Sequence, residues 1–341
     1  MSEPIGAVAI ARNEGERLQR CLRSLAGRCE VIVYVDSGST DGSVAFARSV
    51  GAEVVELDMS SPFSMARARN AGIARLRECR PGIRLVQLVD GDCELVGTWL
   101  GQARAWLEAH PRSAAVCGRR RERYPAKSVY NRLCDTEWNT PVGPALSCGG
   151  DALMRIEALA AVGGYNESLI AGEEPELCLR LRQAGWGIDR IDAEMTLHDA
   201  AILAFGAWWR RTLRGGYGAL DVRTRLAGTV PDADIPFGHL TTSAVSWTVR
   251  WLWLVVLLTS AGALAAGWPG ALAGLAAAAG LQVFQALRIA RGVRRRAAST
   301  VAALEYGVFT MIGKWAQVAG QRRYRRDRRE GRVIKIIEYK S

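Results

Sequence analysis

The chain has 341 residues, enough for one large domain or two ordinary ones with a sizeable buried core. Hydrophobic residues make up 49% and charged residues 23%, which excludes a wholly disordered chain, and the 36 glycines follow no G-X-Y period, which excludes collagen. The net charge of +11 is concentrated: between Arg288 and Lys335 twelve Arg and two Lys face only Glu305, Asp327 and Glu330, so the rest of the chain sums to zero.

Ile5–Ala11 is a short apolar run that leads straight into Arg12-Asn13-Glu14. It predicts a strand rather than a secretory signal, and the first domain is expected in the cytosol. Glu14–Leu25 carries helical spacing at Leu18, Leu22 and Leu25. Glu30–Asp36 is apolar and β-branched and stops at Ser37-Gly38-Ser39-Thr40-Asp41-Gly42, where Thr40 or Asp41 is placed to cap a helix running to about Val50. A strand over Glu53–Leu57, a helix over Ser64–Glu78 and a strand over Arg84–Asp90 follow. Leu95–Ala109 reads as a helix and Ala114–Cys117 as a short strand. Alternating strands and helices with near-continuous apolar strands imply an α/β fold of the Rossmann-like kind, a mostly parallel sheet covered on both faces. Ligands of such sheets bind at the carboxyl ends of the strands, and two strands here end in acids, at Asp36 and at Asp90-Gly91-Asp92.

Eight cysteines, at 21, 29, 79, 93, 117, 134, 148 and 178, include no C-x-x-C pair, and only three histidines are present. This spacing argues against a zinc module and for reduced, buried thiols.

Asp90 and Asp92 at spacing i, i+2 with Gly91 between them can converge on one hard divalent cation, Mn²⁺ or Mg²⁺, that neutralises a diphosphate. The plainer reading is a D-G turn. Asp36 can accept hydrogen bonds from a nucleobase or a ribose, or simply end a strand. Glu173, Glu174 and Glu176 in Gly172-Glu-Glu-Pro-Glu176 can repel one another, raise a pKa and supply a general base. Equally, they suit a helix N-terminus. Arg67, Arg69 and Asn70 are candidates for diphosphate contact or for support of the fold. His198 is either a third metal ligand or structural. Trp209 and Arg210, in Trp208-Trp209-Arg210-Arg211, can stack on a sugar and grip phosphate, or lie at a bilayer interface.

Trp251–Leu287 contains no Asp, Glu, Lys or Arg. As one helix it would rise about 55 Å, beyond the roughly 30 Å of a hydrocarbon core. Gly267-Trp268-Pro269-Gly270 divides it, which predicts a transmembrane helical hairpin. Arg250 before it and Arg288, Arg291, Arg294, Arg295 and Arg296 after it place both ends in the cytoplasm. Val301–Gly320 holds Glu305 and Lys314 and reads as an amphipathic helix on the inner leaflet. The seven Arg of Gln321–Arg332 are expected to meet anionic head groups rather than nucleic acid.

Taken in order, Val8-Ala-Ile-Ala-Arg-Asn-Glu14, Val35-Asp-Ser-Gly-Ser-Thr-Asp-Gly42, Ala68-Arg-Asn-Ala-Gly72, Val89-Asp-Gly-Asp92, Val162-Gly-Gly-Tyr-Asn166 and Gly172-Glu-Glu-Pro-Glu-Leu-Cys-Leu-Arg-Leu-Arg182 resemble the family 2 glycosyltransferases. The resemblance spans roughly residues 5–200. It implies a GT-A fold with a mixed, mostly parallel sheet and an inverting transfer from a nucleoside-diphosphate sugar, UDP-linked by the family's habit. It assigns the nucleotide sugar to Ala11, Asn13, Glu14, Asp36, Ser37, Arg69, Asp90, Gly91, Asp92, Trp209 and Arg210. Metal binding falls to Asp92 and Asp90, with His198 beside them. The base is assigned to Glu174, where the family has Asp, with Glu173 as competitor. Ser37 also departs from the family, many of whose members carry Asp there. Processive members end their domain in Gln-x-x-Arg-Trp, whereas this chain has Trp208-Trp209-Arg210 and two spans, which implies one sugar per acceptor.

The expected organisation is a cytosolic catalytic domain over 1–240, a hairpin over 241–290 and a basic amphipathic tail over 291–341. The expected setting is a bacterial inner membrane crossed more than once, with both termini cytoplasmic. The acceptor is a lipid or lipid-linked saccharide of polysaccharide or glycolipid synthesis. The competing expectation is a membrane-anchored nucleotide-binding or scaffold protein without catalysis. A nucleotidyltransferase is disfavoured by the lack of a G-x-x-x-x-G-K-[ST] loop.

Overall fold

The structure, a computed structural model, describes residues 3–231 and 234–332. These fall into two compact units, the first of 3–124 and 138–201, the second of 125–137, 202–231 and 234–332. The stretches 202–231 and 234–240, read from sequence with the first domain, belong to the second unit. The last part of the predicted tail, 333–341, lies outside the described residues.

In the first unit, β1 (Ile5–Ala11), α1 (Glu16–Leu25), β2 (Val31–Asp36), α2 (Ser43–Ser49), β3 (Glu53–Glu56), α3 (Met65–Cys79) and β4 (Leu85–Asp90) follow the predicted alternation. β1 pairs in parallel with β2 and β4, and β2 with β3. The register sets Ala11 opposite Asp36 and Ile10 opposite Asp90, so the acidic strand ends share one edge. The apolar side chains explain the layering. Val8, Val33, Val35 and Leu88 of the strands and Leu18, Leu22, Leu25 and Leu76 of the helices are buried in one core. Each such side chain contributes about 1.5–3 kcal/mol.

Beyond β4 the sheet becomes mixed. The next elements are β5 (Cys93–Leu95), α4 (Trp99–Ala109), β6 (Ser113–Glu122), α5 (Val129–Trp138), β7 (Gly143–Pro144), β8 (Ala152–Arg155), α6 (Ile156–Ala161), α7 (Glu173–Gln183) and β9 (Gly187–His198). The strand order is β3-β2-β1-β4-β8-β6-β9-β5, with β7 on β9. Two predicted bounds shift. The helix expected from Leu95 begins at Trp99, because Cys93–Leu95 pairs antiparallel with Thr196–His198. The strand expected over Ala114–Cys117 runs on through its arginines to Glu122, paired with β9.

The second unit contains α5 as far as Glu137 together with α8 (Phe205–Leu226), α9 (Gly238–Val245), α10 (Trp251–Val293) and α11 (Thr300–Arg329). Helical geometry breaks inside α10 at Ala266 and at Gly267, whose φ of 62° suits a residue without Cβ. The two arms run back along each other. Trp251 Nε1 donates to the Ala278 carbonyl at 3.1 Å and Gln282 Nε2 to the Trp247 carbonyl at 3.2 Å, while Gly262 and Gly270 meet backbone to backbone. The most apolar window of the helix containing α10 has mean hydropathy 1.7 and is unburied within the protein. α11 continues past the predicted Gly320 through the Arg-rich segment to Arg329. Its buried residues include the small Ala302, Ala303, Gly307, Gly313, Ala316 and Gly320, and Arg132 reaches Glu305 at 2.7 Å.

Candidate active site

The strand ends of the first unit gather most of the predicted residues. Asp36 closes β2 and is 3% exposed. Its Oδ2 accepts the Gly38 and Ser39 N–H groups at 2.9 and 2.8 Å, and its Oδ1 accepts the Tyr34 hydroxyl at 2.6 Å. The carboxylate therefore shapes its own loop, and further acceptor positions remain on its oxygens. Ser37 is buried beside it, its Oγ without a hydrogen-bond partner among the described residues. Asn13 has φ 52° and accepts the Thr40 N–H at 2.7 Å through Oδ1. Asp41 accepts the Ser43 N–H at 3.1 Å and the Gly15 N–H at 2.9 Å. The N-cap of α2 is Gly42 rather than the predicted Thr40 or Asp41; Asp41, one residue earlier, binds the Ser43 N–H and ties the loops after β1 and β2 together. Glu14 pairs with Arg17 at 2.6 Å.

Arg69, 2% exposed on α3, joins two distant segments. Its Nη2 donates to Asp90 Oδ1 at 2.8 Å and its Nη1 to Glu173 Oε1 at 2.7 Å. Burial opposes the charge, but Asp90, Tyr165 and Glu173 outweigh it and raise the Arg69 pKa. Asn70 turns the other way: it accepts the Tyr165 N–H and donates to the Tyr165 carbonyl, both at 2.9 Å, and so holds the Gly163–Glu167 loop. Arg67 donates to the Ser61 and Pro62 carbonyls at 3.0 and 3.3 Å and fixes the loop before its own helix. Gly91 lies so close to β1 that a Cβ there would overlap Ala11, which accounts for glycine between the two aspartates.

Asp92 and His198 come together because Cys93 pairs with His198 across β5 and β9. His198 Nε2 lies 2.9 Å from Asp92 Oδ2, and both residues are buried. The His198 ring stacks on Trp138, with centroids 4.5 Å apart and planes 13° apart, and its buried Nδ1 has no hydrogen-bond partner among the described residues. Asp92, Cys93 and His198 bring one ligand atom each within 4.8 Å of one another, a cluster suited to a cation. Asp90 stands beside it with one oxygen already on Arg69.

The acids that open α7 do not act on one another as the sequence suggests. Each has its own partner: Glu173 takes Arg69, Glu176 takes Nε and Nη2 of Arg180, both at 2.8 Å, and Glu174 takes thiols. Glu174 Oε1 accepts the Cys148 N–H at 2.7 Å, the Cys178 thiol at 3.0 Å and the Cys148 thiol at 3.2 Å. Burial raises the Glu174 pKa, and these hydrogen bonds only partly offset it. The predicted rise is present, but its cause is desolvation instead of repulsion. Cys148 and Cys178 are not joined in a disulfide.

Residues 7–143 match the family described as glycosyl transferase family 2. Over this segment the chain is similar to the family 2 glycosyltransferases. A TPR repeat-containing protein of Synechococcus elongatus is 30% identical over 132 residues, which is 39% of this chain and 31% of that protein. The succinoglycan biosynthesis protein ExoA of Rhizobium meliloti is 53% identical over 47 residues, 14% of each. These matches span less than a third of the curated relatives' length. Among solved structures, the mannosyltransferase PcManGT of Pyrobaculum calidifontis shares the fold at a TM-score of 0.59 and 17% identity, over 96% of this chain and 88% of that one.

Three residues of the candidate site escaped the sequence reading. Asp151, fully buried, accepts the Asp90 N–H at 3.0 Å and the Thr196 hydroxyl at 2.9 Å, and its Oδ2 lies 2.9 Å from Arg120. Burial opposes the Arg120 charge, but Asp151 together with Cys93, Asp90 and Asp92 outweighs it and raises its pKa. Trp138 carries Arg120 on its ring, 5.6 Å from the centroid, as well as His198. Gly149-Gly150-Asp151 before a strand was the available signal for Asp151. Nothing local marks Trp138. Of the remaining candidates, Ala11 ends β1, while Trp209 and Arg210 lie on α8 of the second unit, Trp209 packed on Phe205 at 5.7 Å between centroids.

Proposed function

We propose that this chain is a membrane-associated, inverting glycosyltransferase. It moves one sugar from a nucleoside-diphosphate sugar, UDP-linked as the first choice, to a lipid or lipid-linked saccharide at the inner face of a bacterial cell membrane. The observation that carries this reading is the bridge from Asp90 through Arg69 to Glu173, because it joins the acidic strand end to the acids of α7.

In this reading the nucleotide lies across the strand ends near Asp36 and Ser37. Arg69 sets the positions of Asp90 and Glu173. Glu174 takes the proton of the acceptor hydroxyl, a role favoured by the raised pKa of a buried carboxylate. The acceptor oxygen attacks the anomeric carbon opposite the departing diphosphate, so configuration inverts and one base suffices. Asp92 and His198, with Asp90 beside them, would hold the divalent cation. The buried carboxylate–imidazole pair and its unpartnered Nδ1 fit Mn²⁺ better than Mg²⁺, which prefers oxygen alone. Such an ion neutralises the charge of the diphosphate leaving group. The PcManGT structure, solved with GDP-mannose and Mn²⁺, supports a sugar-nucleotide donor and a metal, and the name of ExoA supports a polysaccharide setting.

Membrane association rests on α10, where Trp253, Leu264 and Trp268 are exposed and the flanks are basic. The arms on either side of Gly267 then form a transmembrane hairpin with Trp268 outside and both ends in the cytoplasm. The amphipathic α11 adds an arginine-rich surface for anionic head groups.

The test is nucleotide binding by detergent-purified protein, with UDP, GDP and dTDP titrated with and without Mn²⁺. One nucleotide is expected to bind only with metal, and Asp92→Asn to lose that binding. Failure of every diphosphate to bind in the presence of metal would overturn the reading and favour a scaffold.

A further inference from the structure

The two cysteines around Glu174 come from places that spacing rules cannot connect. Cys148 precedes Gly149-Gly150, and Cys178 sits one helical turn after Glu174 on α7. In the fold their sulfurs are 3.7 Å apart, and Glu174 Oε1 is 3.2 Å from one and 3.0 Å from the other. A tetrahedral zinc ion with bonds of about 2.3 Å to sulfur and about 2.0 Å to oxygen sets two sulfurs about 3.8 Å apart and each sulfur about 3.5 Å from the oxygen. The S···S edge already matches, and the two S···O edges need to open by a few tenths of an ångström.

We propose that Cys148, Cys178 and Glu174 form a three-ligand site for a thiophilic divalent cation of the Zn²⁺ type, and that its occupation removes Glu174 from sugar transfer. On binding, each thiol loses its proton to solvent and the carboxylate joins as an anion. The resulting S₂O set selects Zn²⁺ or Co²⁺ over Mn²⁺ and Mg²⁺, which favour oxygen ligands. It therefore differs in chemistry from the Asp92–His198 pair. Two features favour the negative charge that the ligands assemble. Glu174 lies in the first turn of α7, where backbone N–H groups point outward, and it already accepts the Cys148 N–H at 2.7 Å. Glu174 and Cys148 retain 6% and 8% exposure, an opening for a small ion. The inhibition rests on Glu174 being the base. The metal site does not.

The experiment adds Co²⁺ to the reduced, full-length protein in detergent and follows thiolate-to-cobalt charge-transfer absorption and tetrahedral d–d bands. The bands are expected to saturate at one equivalent, to vanish in Cys148→Ser and in Cys178→Ser, and to persist in Cys93→Ser. X-ray absorption of the wild-type zinc form, which depends on no variant, is expected to give two sulfur neighbours at about 2.3 Å and an oxygen at about 2.0 Å. With Mn²⁺ kept in excess, zinc at one equivalent is expected to stop sugar transfer, and a zinc-selective chelator to restore it. Absent bands, bands that survive both serine variants, or bands lost only in Cys93→Ser would overturn the site. Full zinc occupancy with undiminished transfer would overturn the inhibition. Bands without transfer under any metal would sink the enzyme reading and leave the site standing, whereas normal transfer without bands would do the reverse.

Discussion

Asp90 and Glu173 are held by one guanidinium: Arg69 donates to the first at 2.8 Å and to the second at 2.7 Å, and is itself 2% exposed. A planar fork makes this possible, and a single ammonium cannot reproduce it. Arg69→Lys is expected to keep part of the charge balance but to release one carboxylate. Arg69→Ala leaves both acids without their partner and is expected to cost about 3–5 kcal/mol of stability. Urea denaturation of the two variants checks this. If Arg69→Ala matches wild type, the bridge adds nothing to the fold.

Glu174→Gln is expected to lower turnover by about 10²–10⁴-fold while leaving nucleotide affinity nearly unchanged. The measurement is a sugar-transfer assay beside a nucleotide-binding titration. Equal losses in both would assign Glu174 to binding.

Burial raises the Glu174 pKa, and that has a sign. The base must be ionised, so the acid limb of the activity profile lies above the ordinary carboxylate value of 4.5. Stability moves oppositely. A folded pKa above the unfolded one gives a contribution fully present below the unfolded value and lost as pH rises through the folded one. Every tenfold gain in proton affinity on folding corresponds to about 1.4 kcal/mol. Thermal melts across this range should show wild type losing stability relative to Glu174→Gln as pH increases.

His198→Ala removes the imidazole 2.9 Å from Asp92 and empties the face of Trp138. A loss of about 10–100-fold in Mn²⁺ affinity is expected, on the scale of other groups that hold or orient metal ligands. Calorimetric titration with Mn²⁺ in the presence of UDP reads it. An unchanged affinity would make His198 a packing residue.

Asp151→Asn keeps the shape but removes the negative charge that faces Arg120 from a fully buried position. Breaking such a pair is expected to cost about 3–5 kcal/mol. Guanidinium denaturation gives the number, and a cost below about 1 kcal/mol would mean that Arg120 finds another partner.

Much was legible in the chain itself. Strands β1 to β4 and their helices could be read because their apolar residues repeat with the period of the structure they form, and Asp36 and Asp90 could be read because they end those strands, with Asp92 two residues beyond. The break in α10 was visible as Gly267 and Pro269 within an uncharged run. Periodicity is local, so it names elements and the residues at their ends.

Pairing between distant segments is a different matter. That Cys93 lies opposite His198, that Arg69 spans Asp90 and Glu173, that Asp151 supports Asp90 from beneath, and that Cys148 and Cys178 close on Glu174 all depend on strand order and helix placement. The acids of α7 show the difference most directly. Their spacing suggests mutual repulsion, yet each has its own partner, and the Glu174 pKa rises because the folded chain excludes water from it. Sequence determined which groups are available and where each element ends. Tertiary structure decided which groups meet, because burial and hydrogen bonding act through space between residues that the chain keeps far apart.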